Sequence, residues 1–355
     1  MPRPVSNPPN PFDRFRVELF EPELARLEVS EEHAKSALSK NESPDVPFRW
    51  SVNPYRGCQH ACAYCYARPT HQYLGLGAGT DFDRKIVVKT NLPELLEREL
   101  ARRSWRGEPV TFSGVTDAYQ PLEARYGLTR RCLEVCLARR NPVAIVTKSA
   151  LVRRDADLLV ELARRADVRV FVSIPFGDPV TARAIEPGTP TPAERFETLR
   201  VLSEAGIPTG FALAPLIPRL NDADIPAQLE RARESGARAA FLLLLRLPAE
   251  VEDVFRERLQ QAFPERASAV LSALAEMRGG RLKESRFGER MRGHGPRFQI
   301  VQDLFFLHCR RLGLETGGDE RLASMRPKPG GGQGFLFDDP FGKAPPPPLE
   351  RGAHS

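Results

Sequence analysis

The chain has 355 residues, 41% hydrophobic and 28% charged, which suits one large core with flanking extensions and a charged surface. No apolar run approaches the ~20 residues of a membrane helix. The opening MPRPVSNPPNPF has no apolar signal core, so the sequence predicts a cytoplasmic protein with no membrane partner. A formal charge of +6 permits a polyanionic partner without naming one, and six cysteines in such a chain point to metal or catalysis rather than a disulfide framework.

Taken in order, residues 1–48 read as an N-terminal extension; its first 12 residues hold five prolines, which suggests an arm lying over the body. From Arg49 strand-like and helix-like segments alternate. Short apolar runs bounded by Pro, Gly or charge predict strands at Arg49 to Asn53, Pro109 to Val115, Pro142 to Lys148, Val168 to Ile174, Pro208 to Leu216 and Ala237 to Leu247. Helical patterns lie between them, at Leu92 to Arg103, Leu128 to Arg140, Asp155 to Arg165, Thr191 to Ala205 and Asp224 to Ser235. TPTPAERFETL carries a helix-start signature, with Thr191 as cap and Glu194 three residues on. Such an α/β alternation over 49–247 predicts a partial parallel barrel, and a doubly wound open sheet fits it equally. Residues 248–325 read as a helical extension, with two helices broken at Pro264 and a third from Gln299 to Leu312. The last 30 residues, 326–355, contain 13 Gly or Pro and predict a disordered C-terminal tail.

One short stretch carries the chemistry. In NPYRGCQHACAYCYARPTHQYLG, Cys58, Cys62 and Cys65 place three thiols on a loop just beyond the first predicted strand. Three thiolates suit a four-iron, four-sulfur cluster with one iron left open, whereas an electron-transfer cluster usually takes four. A zinc site completed by His60 or His71 is the rival, although zinc sites more often use paired hooks spread along the chain. Cys132 and Cys136, four apart on a predicted helix, read as core packing, as does Cys309. For His71 and Gln72 a loop hydrogen-bonding role and a catalytic one both stand.

CQHACAYC resembles the C-x3-C-x-(aromatic)-C signature of the radical S-adenosylmethionine (radical SAM) superfamily. More narrowly, NPYRGCQHACAYCYARPTHQYLGLG, VTDAYQPLE, VTKSALVRRDADLL, EAGIPTGFALAPLIPRLND and LLLRLP resemble the spore photoproduct lyase-like, or DNA repair photolyase, group. The likeness runs from about Ser43 to Pro296. It implies a partial (β/α)6 radical SAM barrel, a 4Fe-4S cluster held by Cys58, Cys62 and Cys65, and S-adenosyl-L-methionine as second cofactor. In that superfamily reductive cleavage of the sulfonium gives a 5′-deoxyadenosyl radical that abstracts a hydrogen atom.

The same resemblance suggests roles for other residues. Tyr64 would lie against the adenine, with core filling as the alternative. Tyr66 matches a tyrosine near the hydrogen-transfer path, with a plain hydrogen bond as the alternative. Ser113, Thr116 and Asp117, at the end of the second strand, would receive the methionine amino group, or simply form a turn. Lys148 would hold the methionine carboxylate, or snorkel from its strand end. Ser173 is a further contact, while capping and a surface ion pair explain Glu186 and Arg195 as well as a site role does. One departure stands out: where the spore lyase has its hydrogen-donor cysteine, FSGVTD offers Gly114 and Val115.

These readings predict a radical SAM enzyme with an unidentified substrate, a nucleic acid being favoured by charge and resemblance, and an unknown electron donor. The alternative is a non-catalytic, metal-cluster-stabilised module associated with DNA. In the tail, Gln333, Leu336 and Phe337 resemble the Q-x-x-L-F peptide that docks bacterial repair proteins on the DNA sliding clamp, which makes the clamp an expected partner.

Overall fold

The structure is a computed structural model that describes residues 5–8, 26–46, 48–282, 287 and 290–316. The tail from Arg326, with Gln333, Leu336 and Phe337, lies outside the described residues, as does much of the N-terminal arm.

Ten strands are present among the described residues: β1 (Glu28–Glu32), β2 (Leu38–Lys40), β3 (Trp50–Val52), β4 (Tyr55–Arg56), β5 (Lys85–Lys89), β6 (Val110–Phe112), β7 (Val143–Thr147), β8 (Val168–Ser173), β9 (Thr209–Leu216) and β10 (Ala239–Leu244). Six of them, β3, β6, β7, β8, β9 and β10, are the expected strands, and they pair in parallel in chain order. Chain order separates the two architectures that periodicity left open. A doubly wound sheet reverses direction at a switch point, whereas here every crossover adds the next strand to the same edge, as in a barrel. Antiparallel β2 borders β3, and a parallel bridge from Glu315 reaches Ala239 of β10, so among the described residues the barrel is partial.

The apolar runs form strands because both of their faces are covered. β8 is buried at all six positions, which a parallel sheet with helices outside requires. Helices Leu92–Leu100, Leu128–Ala138 and Ala156–Arg165 enclose one core with β3, β6, β7 and β8, and it contains Cys132 and Cys136. Later helices, from Pro192–Glu204 to Gly295–Leu312, share a second core with β9 and β10, which holds Cys309 and also reaches Cys62, Ala63 and Tyr64. The helices Val251–Ala262, Pro264–Met277 and Gly295–Leu312 therefore pack as part of the barrel body. The capping box at Thr191 and Glu194 is present, with both reciprocal hydrogen bonds.

The N-terminal extension is woven in. Val5 is buried and its N–H donates to Thr80 Oγ1 at 3.0 Å. β1 pairs in parallel with β5, and β4 pairs on its other side, making a small second sheet that sequence patterning missed. This sheet frames the segment between Arg56 and Lys85, where the three cysteines lie.

Candidate active site

The cysteine loop leaves β4 through Gly57, whose φ of +77° is left-handed and whose added Cβ would meet His71, Phe82 O and Ile86 at 2.8–2.9 Å. Only glycine suits that corner. Cys58 N–H donates to Phe82 O at 2.9 Å, and Ala63 N–H donates to Ile185 O at 3.0 Å. From the opposite side Gly188 N–H donates to His60 O at 3.0 Å, and a Cβ there would stand 2.0 Å from Gln59 O.

Two buried side chains fix the loop from within. Arg68, fully buried, gives Nε and Nη2 to the Cys62 carbonyl at 3.0 and 2.8 Å and Nη1 to Ala78 O and Gly79 O at 3.0 and 2.9 Å. Its Nη2 also pairs with Asp83 at 2.9 Å. Gln120 accepts from Gln59 N–H at 3.0 Å and donates to Gly57 O at 3.1 Å. Neither residue emerged from the sequence reading, because their partners are defined only by the fold.

All six cysteines are free thiols; Cys58 and Cys62 are buried and Cys65 is half-buried. Burial first, then the charge at Cys58, pushes the Cys65 thiol up to about 11. Burial and then Glu186 push Cys62 well above the ordinary thiol range. Thiols so placed stay protonated unless an electrophilic metal takes the proton's place.

Of the rival zinc ligands, His60 lies against Asp117 and Cys58, and His71 is engaged elsewhere. His60 Nδ1 stands 3.3 Å from Asp117 Oδ2; burial works against its charged ring, but Asp117 and Cys58 raise it to about 10. His71 Nε2 meets the Lys85 carbonyl at 2.8 Å, so that nitrogen carries the proton, and burial keeps the ring from charging. Among the described residues no three Cys, His, Asp or Glu side chains close around a single ion. A cluster places its thiolates on three separate irons, so it does not require the sulfurs to converge as tetrahedral zinc does.

Beside the loop, at the C-terminal ends of β7 and β8, lies a buried polar hub. Tyr64 donates its hydroxyl to Glu186 Oε1, and Glu186, fully buried, pairs with Arg195 at 2.6 Å. Lys148 Nζ donates to Ser173 Oγ at 2.9 Å, stands 3.9 Å from Glu186 and lies 5.7 Å from the Tyr64 ring centroid. Burial, foremost, holds the Lys148 ammonium below its ordinary range and pushes Glu186 above the usual carboxylate range. Glu186 does cap a helix with its backbone, but its side chain and Arg195 belong to this hub rather than to a surface pair. The helix that ends in Glu186, Pro179–Ile185, is too short for periodicity to reveal.

The β6 loop meets the cysteine loop from the other side. Ser113 has a left-handed φ of +84° and accepts from Ala118 N–H at 3.0 Å, while Thr116 Oγ1 is 3.5 Å from Tyr55 O. Asp117 accepts from Thr147 Oγ1 at 2.7 Å, Lys148 N–H at 2.8 Å and Tyr119 N–H at 2.9 Å. Burial opposes its charge, but His60 first, then the Lys148 N–H and the Thr147 hydroxyl, hold the carboxyl down at about 2. Asp117 therefore ties β6 to β7 and orients Lys148. Tyr66 is 54% exposed and donates to Gly114 O at 2.8 Å, which carries the cysteine loop across to the β6 loop. A Cβ at Gly114 would meet Ser51 at 3.0 Å, leaving no easy room for a thiol.

A family model described as Radical SAM superfamily matches residues 52–232, from β3 to the helix Ile225–Glu234. The chain belongs to the radical SAM superfamily. It is therefore an enzyme rather than a non-catalytic module. It is 40% identical over 250 residues to an uncharacterized protein of Mycobacterium tuberculosis, covering 70% of this chain and 74% of that one. An uncharacterized protein of Methanocaldococcus jannaschii is 30% identical over 241 residues, covering 68% and 86%. The fold is similar to that of a solved spore photoproduct lyase variant with bound AdoMet and dinucleoside spore photoproduct, with a TM-score of 0.61, 15% identity and coverage of 85% and 87%. The unmutated lyase complexed with the dinucleoside gives 0.58, 16% identity and 81% of each chain. At such identity the likeness is one of fold. No helix among the described residues is long and apolar enough to cross a membrane.

Proposed function

We propose that Cys58, Cys62 and Cys65 hold a 4Fe-4S cluster whose open position takes S-adenosylmethionine, and that this radical SAM enzyme acts on a nucleic acid. The observation that carries the reading is three free thiols on one loop, locked by Arg68 and Gln120, at the strand ends of a partial barrel. When bound, such a cluster would supply the one electron, drawn from an external donor, for reductive cleavage of the sulfonium.

The chain's own residues bind, orient and exclude. Lys148 offers an ammonium to the methionine carboxylate; Ser173 and the Asp117 bond to the Lys148 N–H hold its position. Ser113 and Thr116 are the candidates to receive the amino group, and Tyr64 is the candidate to lie against the adenine. Glu186, balanced by Arg195, keeps the Tyr64 hydroxyl from turning into the site. Tyr66, exposed beside Cys65, is the candidate to meet an incoming substrate. A net charge of +6 and the fold likeness to a lyase solved with a dinucleoside support the nucleic acid. Without a cysteine at Gly114 or Val115, hydrogen return by the spore lyase's own donor route is not proposed.

The test is anaerobic reconstitution with iron and sulfide, then dithionite and S-adenosylmethionine. Formation of 5′-deoxyadenosine by the intact protein and none after single Cys→Ala changes at the three positions is the expected result. Equal formation by the three variants would remove the cluster assignment.

A further inference from the structure

Two residues past the end of β10 stands Arg246, on the strand-end edge where a barrel carries its chemistry. It is half-buried, and its Nε is closed to solvent with no hydrogen-bond acceptor among the described residues. Arg68 is bonded to three carbonyls and Asp83, and Arg278 to the carbonyls of Leu244, Leu245, Arg290 and Arg292, whereas Arg169, Arg258 and Arg292 also keep a buried Nε without an acceptor among the described residues, none of them at the end of a barrel strand beside the cysteine loop. An unbonded buried donor costs stability and calls for a reason.

The charges around Arg246 do not satisfy it. Among the described residues, Arg290, Asp45 and Tyr66 are the groups that act on it. Asp45 is already held by Arg290 Nε at 2.5 Å, while Arg290 Nη2 bonds Ser43 Oγ at 2.6 Å and its plane lies 4.2 Å over the Phe287 ring. Among the described residues, two guanidinium groups face one carboxylate here. Arg278 clamps the end of β10 to the 290–292 segment, so the backbone holding Arg246 is fixed in place. Tyr66 follows Cys65 and bonds Gly114, and Arg246 lies within its electrostatic reach, which puts this cation near the cysteine loop.

We propose that Arg246 is the anion-binding residue of the substrate site, taking a phosphate or carboxylate of the substrate beside Tyr66. The inference rests on the cysteine loop being the reactive centre. A planar fork of donors matches either anion with two parallel bonds, and a donor kept unbonded until the ligand arrives avoids competition from the protein's own acceptors. Lys148, deeper in the site and bonded to Ser173, is left for the cofactor.

The experiment is calorimetric titration of the full chain, without added iron or S-adenosylmethionine, with inorganic phosphate and separately with acetate. Its failure is thus distinct from failure of the cluster reading. One small anion on one guanidinium should bind in about the millimolar range. Arg246→Gln should weaken the better anion by roughly tenfold or more, and Arg246→Lys by less, since it keeps the charge but loses the fork. Arg200→Gln, on an exposed helix face paired with Glu197 and Glu204, should change nothing. Preference for phosphate assigns a phosphorylated substrate, and preference for acetate a carboxylate. The proposal is overturned if the intact chain binds neither anion up to ~50 mM. Wild-type affinity in a folded Arg246→Gln, or a variant that weakens only S-adenosylmethionine in the reconstituted protein, overturns it equally. Circular dichroism decides whether Arg246→Gln is folded; if it is not, Arg246→Lys carries the comparison, and wild-type affinity there overturns the proposal.

Discussion

Replacing Arg68 by Met removes a fully buried guanidinium and keeps most of its apolar volume. Six hydrogen bonds disappear: two to the Cys62 carbonyl, one each to Ala78 O and Gly79 O, and two to Asp83. The packing of the guanidinium 5.2 Å over the Phe82 ring goes with them. Stranding a buried carboxylate by deleting its partner costs about 3–5 kcal/mol. That is a large part of the ~5–15 kcal/mol that holds a domain folded. With a urea slope of about 3 kcal/mol/M, the midpoint should fall by roughly 1–2 M. Burial already lifts the Asp83 carboxyl to about 6 against the pull of Arg68, and without the arginine it rises further. Because its folded value lies above the unfolded value of about 3.9, stability from this group is present at low pH and lost as pH rises through about 6. The deficit of Arg68→Met should therefore be smaller at pH 4 than at pH 7. Urea unfolding at both pH values, with iron content after reconstitution, makes the test. A loss under about 1 kcal/mol at pH 7 with full iron would refute the view that Arg68 holds the cysteine loop.

Single Cys58→Ala, Cys62→Ala and Cys65→Ala variants should lose the iron–sulfur absorbance, whereas Cys132→Ala, inside the apolar core, should keep it and lose only packing. Lys148→Ala should retain iron but bind S-adenosylmethionine roughly 10- to 150-fold more weakly in equilibrium dialysis, the loss of one charge-assisted hydrogen bond; unchanged affinity would return Lys148 to a strand-end role. Gly188→Ala puts a methyl 2.0 Å from the Gln59 carbonyl, so the loop must move, and iron loading should drop even in a variant with a native circular dichroism spectrum.

Local chemistry was legible in the sequence, and long-range pairing was not. The six parallel strands could be read because a strand covered on both faces is mostly apolar, as β8 is: all six of its positions are buried and only Arg169 and Ser173 are polar. The cysteine loop was readable because its ligands lie within eight residues, and the cap at Thr191 because a capping box closes over three. Barrel against doubly wound sheet was decided only by strand order, which leaves no trace in periodicity. β5 escaped because its partners β1 and β4 are short and partly polar, so neither face shows a clean pattern. Arg68, Gln120, Glu186 and Arg246 look like ordinary polar residues in a charged chain. Their meaning comes from which carbonyl, ring or empty space they face once folded: Gln120 meets Gln59 across 61 residues, and Tyr64 meets Glu186 across 122. A buried polar group must find its partner wherever the fold brings one, and that requirement acts through space, not along the chain.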